Sequence, residues 1–178
     1  MYEEEYSNDI VSRRFPRVPI ERRIGAFAID FVTVWFISSF FGKGAWLVFL
    51  IVWSVMRIVV AERNQGQSLG RYALDMKVID YRYNRVPDLL TFGKREGILG
   101  FAAMLASIGL QNFGNGLSLL FLATPVLVDC LLALSDEELN RAFHDRVAET
   151  IVIQTQRGFS LDLRLKKLLV TIRRNMRQ

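Results

Sequence analysis

Four long apolar runs, set between blocks dense in charge, constrain this chain more than any other feature. They span residues 24–41, 45–61, about 97–112 and 117–134. Each approaches the roughly 20 residues that a helix needs to cross about 30 Å of hydrocarbon. The third is shortest, with its apolar core GILGFAAMLASIGL between Gly97 and Leu110. A soluble domain spreads charge along amphipathic helices. Here 23% of residues are charged and 51% are hydrophobic, yet the two kinds segregate. The pattern predicts an all-α membrane protein built as a four-helix transmembrane bundle. Gly42-Lys43-Gly44 and QNFGNG are short enough to close the first and last pairs of helices as hairpins. The first run begins late, contains Asp30 and lacks a small-x-small cleavage pattern, so it reads as a span and not as a cleaved leader.

The basic residues set an orientation. Five Lys or Arg precede the first run, seven lie between the second and third, and nine follow the fourth, whereas the hairpin loops hold Lys43 alone. By the positive-inside rule both termini and the central loop face the cytoplasm, across a plasma membrane or another energy-transducing internal membrane. The same rule, with attraction to anionic headgroups, accounts for the net charge of +5. No nucleic-acid-binding motif is present, so no nucleic-acid partner is expected. Cys130 and His144 are the only residues of their kinds, which excludes an intrachain disulfide and a Cys- or His-based metal site.

The chain divides into a cytoplasmic tail (1–19), a transmembrane domain (20–154) and a basic segment (155–178). In RYALDMKVIDY, Tyr72, Leu74, Met76 and Val78 alternate with mostly polar neighbours, as in a half-buried strand. AETIVIQT is a second β-prone run, and the two are candidates to pair as a small cytoplasmic β element. From Ser160, Leu161, Leu165, Leu168, Ile172 and Met176 recur at helical spacing among Arg164, Lys166, Lys167, Arg173 and Arg174. That spacing predicts a C-terminal basic amphipathic helix on anionic lipid headgroups, on the protein's own cytoplasmic face or on a partner.

Three charges lie inside the runs: Asp30, Arg57 and Asp129. A charge at mid-bilayer costs roughly 2.5–3.5 kcal/mol on insertion scales, so such groups pair or line a wet cavity. At about 1.5 Å rise per residue all three fall in the cytoplasmic half of the bilayer. Asp30 and Arg57 are the expected pair, because their helices form the tight hairpin. Pro125, one turn before Asp129, frees the carbonyl of Phe121, and Thr124 adds a hydroxyl there. Two readings stand: a cation or proton site formed by Asp30, Asp129 and Arg57, or polar glue between helices.

Several motifs resemble the RDD family of small integral membrane proteins. Arg23 in RRIGAFAID, with Arg22 a close rival, is similar to the family's arginine, and Asp30 to its first aspartate. Asp145 in AFHDRVAETIVI resembles its second aspartate, and GQSLGR its Gly-x-[Thr/Ser]-x-Gly-[Lys/Arg] element. Arg95 in GKREG matches the arginine before the third span. The resemblance covers about residues 20–154 and implies a small helical bundle, with cation/proton transport proposed for some members and none assigned to most. It gives the basic tail no role, and Asp129 is not one of its signature residues.

No phosphate-binding loop, HExxH, CxxC or GxSxG occurs, so neither an enzymatic activity nor a cofactor is expected. Asp145 reads as a structural tie to Arg23 at the membrane boundary. Two functions follow. One is a small carrier of cations or protons acting as a homo-oligomer. The other is a non-catalytic accessory or assembly factor bound to a larger membrane complex.

Overall fold

The computed structural model describes residues 18–112, 114–136 and 139–155. Helix α1 (Ile20–Ser39) begins directly after Pro19 and buries Ala26, Asp30, Val34 and Ser38, a stripe at four-residue spacing that turns one face inward. Gly42, at φ 53°, makes the reversal into α2 (Gly42–Arg63). This helix opens with a 3-10 turn at Gly42–Gly44, is α-helical over Ala45–Ser54 and widens to a π turn at Val55–Val59. The buried side chain of that widened turn is Arg57. A π turn inserts an extra residue, and here it coincides with the charge that the helix carries inward.

There follow α3 (Leu69–Ala73), β1 (Met76–Asp80), α4 (Leu89–Gln111), α5 (Gly116–Ser135), α6 (Phe143–Val147) and β2 (Thr150–Gln154). The strands pair antiparallel, with Met76 opposite Gln154 and Asp80 opposite Thr150. The alternation that suggested a strand from Tyr72 misplaces its start. Ser68 caps α3, which contains Tyr72, and Asp75 at φ 54° turns the chain before β1 begins at Met76. The third long helix likewise starts at Leu89 and not at Gly97. Asp88 caps it by accepting from the Thr91 N–H at 2.9 Å, and Arg95 and Glu96, which look like loop charges, are buried on the helix.

Two apolar layers enclose the charges. One joins α1, α2 and α4 through Val34, Phe49, Trp53, Leu99, Ala103 and Met104. Phe49 stacks on Trp53 with ring centroids 5.7 Å apart. Gly100 permits the approach of α4, since a Cβ there would lie 2.6 Å from the Trp53 ring. The second layer, under the strands, contains Ala26, Ala61, Leu74, Met76, Val78, Phe92 and Val152.

Helix α5 packs chiefly on α4 and buries only Asp129 and Ala133 among its described side chains. It contains Pro125, and the Thr124 hydroxyl donates to the Leu120 carbonyl at 2.8 Å. Two helices, Gly42–Arg63 and Gly116–Ser135, are long and apolar enough to cross a membrane. Only 28% and 11% of their apolar windows are buried, whereas a core helix of a soluble protein is mostly covered. Helices α1 and α4 have 20 and 23 residues, sufficient length, but carry the charges described below. The basic segment with Arg164, Lys166, Lys167, Arg173 and Arg174 lies outside the described residues.

Candidate functional site: a buried arginine and carboxylate network

Each long helix carries a buried charge, and the loop element Gln67–Arg71 meets those of α1 and α4. Asp30 on α1 is fully buried, and both its oxygens are engaged. Oδ1 accepts from the Gly70 N–H at 2.7 Å, and Oδ2 accepts from the Ser68 hydroxyl at 2.6 Å and from Arg57 Nη1 at 3.1 Å. The loop reaches the carboxylate only because residue 70 is glycine, for a Cβ there would lie 2.0 Å from the Ala26 carbonyl oxygen. At Gly66, with φ 86°, a Cβ would lie 2.4 Å from the Val78 carbonyl oxygen. The GQSLGR element is therefore a backbone clasp on Asp30.

Glu96 is the second centre. Arg57 Nε donates to its Oε2 at 2.7 Å, Arg71 Nη2 donates to Oε1 at 2.5 Å, and Arg95 Nη1 also donates to Oε1. Arg57 further lies 4.6 Å above the Trp53 ring, which donates through Nε1 to the Glu96 carbonyl at 3.3 Å. One carboxylate so serves three guanidinium groups from α2, α3 and α4.

Asp145 on α6 is the third. It accepts from Arg23, from Arg95 Nη2 at 2.6 Å and from the Ala142 N–H at 3.2 Å. Burial acts to raise its pKa, but the Arg23 and Arg95 guanidinium groups outweigh burial and hold it well below the usual carboxylate range. Its neighbour His144 binds Asp129 of α5 twice, the N–H at 3.1 Å and ring Nδ1 at 2.7 Å. Arg95 Nη2 stands 3.2 Å from Nε2 of the same ring. The same Nε2 lies 3.4 Å from Asp145 Oδ1, so the ring stands between two carboxylates and a guanidinium.

A cavity of about 60 Å³ opens beside this network, between α1 and α5. The described residues contain no group of three or more His, Cys, Asp or Glu placed to hold a metal ion. With every carboxylate engaged by arginine, histidine or backbone N–H, the arrangement fastens elements together.

Of the charges legible in the sequence, Asp30 and Arg57 meet directly, and Arg23 reaches Asp145. Asp129 does not join Asp30. It faces His144, and among the described residues the two clusters are linked through Arg95 and Glu96. Glu96 and the inward turn of Arg71 are the functional side chains that charge counting misses, because Arg71 and Arg95 enter the count of loop charges as though solvated. The spacing of Phe92, Glu96, Leu99 and Ala103 along one helical face is the signal that marks Glu96 as buried.

A model of the RDD family matches residues 39–149. The matched stretch takes in the GQSLGR clasp, Arg95, Glu96 and Asp145, and begins beyond Arg23 and Asp30. Comparison with curated proteins and with solved structures gives no match. The family match spans more than half of the 178 residues and takes in the carboxylates of two of the three centres of the network, Glu96 and Asp145. The chain belongs to the RDD family.

Proposed function

We propose that this is a non-enzymatic accessory or assembly protein of the membrane, whose buried charges lock its fold and whose outer faces bind a larger membrane complex. In this reading α1, α2, α4 and α5 all cross the bilayer, and the strand pair and both termini face the cytoplasm. The saturation of Asp30 supports it best. A cation carrier needs carboxylate oxygens free for the ion, whereas those of Asp30 hold a backbone N–H, a hydroxyl and a guanidinium. The place a transported cation would take is held by Arg57.

Large apolar side chains cover the outside of the helices, among them Phe36 at 58% exposure and Phe121 at 84%. They suit lipid or another transmembrane helix, and the basic residues from Arg164 onward suit an acidic surface beside it. The test is isolation of the tagged full chain from its native membrane in mild detergent. A stoichiometric heteromeric partner is expected, and recovery of the chain alone or only with itself contradicts the reading.

A second reading, exchange of protons or small cations, is favoured by one observation: Asp129 and His144 line the cavity and form a protonatable pair. Flux in proteoliposomes that disappears in Asp129→Asn, in a protein still folded, supports this alternative. Unchanged flux removes it.

A further inference from the structure

The cavity between α1 and α5 is lined by two unlike surfaces. Its inner wall carries Arg23, Arg57, Arg71 and Arg95, against a single carboxylate, Asp129, with His144 beside it. Its flanks are apolar, formed by Ile24 and Phe27 of α1 and by Val126 and Cys130 of α5. Among the described elements these two helices do not pack extensively on each other, so the opening between them faces the surface that the exposed Ile24, Leu127 and Leu131 mark as lipid-facing.

One donor in this wall is left over. Arg71 is 3% exposed, and its Nη1 is buried without a hydrogen-bond partner. The reason lies in Glu96, whose Oε1 already accepts from Arg71 Nη2 and Arg95 Nη1, with Arg57 Nη2 at 3.5 Å. Three guanidinium groups thus share Glu96, and whereas Arg57 also holds Asp30 and Arg95 also holds Asp145, Glu96 is the one carboxylate that Arg71 meets among the described residues. Burial, with Arg57 adjacent, draws the Arg71 pKa down to about 9 in spite of Glu96. Buried donors are otherwise paired almost without exception, so a guanidinium that lines the cavity with one of its nitrogens orphaned calls for an acceptor.

We propose that this cavity is a binding site for a phosphate oxyanion, entered sideways from the bilayer by the headgroup of an acidic phospholipid. Guanidinium forks match phosphate oxygens in charge and geometry. The volume of about 60 Å³ admits several water-sized bodies, and so one tetrahedral oxyanion. The apolar flanks accept the start of the acyl chains, which a free phosphate would leave unused. The site rests on the membrane-spanning reading but is independent of any protein partner.

The probe is a mixture of equal parts phosphatidylglycerol and phosphatidylcholine, added to delipidated full-length protein in detergent and read by native mass spectrometry. The first bound lipid should be phosphatidylglycerol by about tenfold, the scale of one charge-assisted contact. Arg71→Gln should abolish that preference. Because this variant also disturbs Glu96, Val126→Phe is the companion: it fills the cavity from α5, leaves every network charge in place, and should reduce the preference at least as far. Inorganic phosphate at millimolar concentration should compete with the lipid. If phosphate binds and raises the melting temperature while phosphatidylglycerol does neither, the oxyanion site stands and its lipid source is overturned. A phosphatidylglycerol preference that survives Val126→Phe belongs to the exposed basic residues and overturns the site, as does equal retention of both lipids.

Discussion

Asp30 and Asp129 are both buried carboxylates on apolar helices, yet they live in different company. Asp30 is gripped by α2 and by the GQSLGR clasp, and its helix packs on α2, α3 and the aromatic layer. Asp129 depends on one residue, His144, and its helix touches little beyond α4 and α6. A charge within an apolar helix therefore has no fixed meaning. Where several rigid elements converge on it, the charge is a fastener; where one titratable partner faces a cavity, it is the adjustable edge of the structure.

The contrast can be broken from either side, and the largest effect is expected at the hub. Glu96→Gln leaves three buried guanidinium groups short of their shared carboxylate, a change of the kind that costs about 3–5 kcal/mol. Detergent melts and size-exclusion profiles should show loss of the folded monodisperse species. A Glu96→Gln protein as stable as the parent would show that Glu96 is not a hub of the fold.

Acid should attack next, at Asp145. Its pKa is depressed in the folded state, so its contribution is present above the ordinary carboxylate value of about 3.9 and is lost as pH falls through the depressed value. The folded helices should therefore survive pH 5 and fail only in strong acid, by circular dichroism. Loss already near pH 5–6 would point to a different controlling group.

Gly70→Ala tests the clasp without touching a charge. Its new methyl group meets the Ala26 carbonyl, and the expected cost is about 1–3 kcal/mol in a melt. Asp129→Asn should cost less, about 1–2 kcal/mol, because the asparagine oxygen still accepts from His144. The smallest effect belongs to Arg82→Gln, whose pair with Glu149 is 2.6 Å long but solvent-exposed at 64% and 49%, and about 0.5 kcal/mol or less is expected. If Asp129→Asn destabilises as much as Glu96→Gln, the two regions do not differ in the way described.

Much of this was legible from residues alone. The hydropathy runs locate the four long helices, the two β-prone runs are the strands, and hairpin proximity pairs Asp30 with Arg57. Legibility ended where a side chain's direction depends on tertiary contacts. Arg71, Arg95 and Glu96 stand in a charge-rich stretch whose composition reads as solvated, and the packing of α4 on α2 and of α3 on α1 turns them inward. The partner of Asp129 was hidden for a similar reason: His144 reaches it because α6 folds back beneath α5, which no spacing in the chain announces. The loop glycines were visible as a motif, but their purpose required the Ala26 carbonyl to be in place.

The central claim is that Asp30 fastens the helices and carries no ion. It is tested most directly by reconstituting the full chain and Asp30→Asn side by side in proteoliposomes, and following sodium, potassium and proton flux together with the melting temperature of each protein. No flux above protein-free vesicles is expected for either, and the substitution should lower the melting temperature. Ion flux by the parent chain that vanishes in a fully folded, equally stable Asp30→Asn protein would contradict the claim.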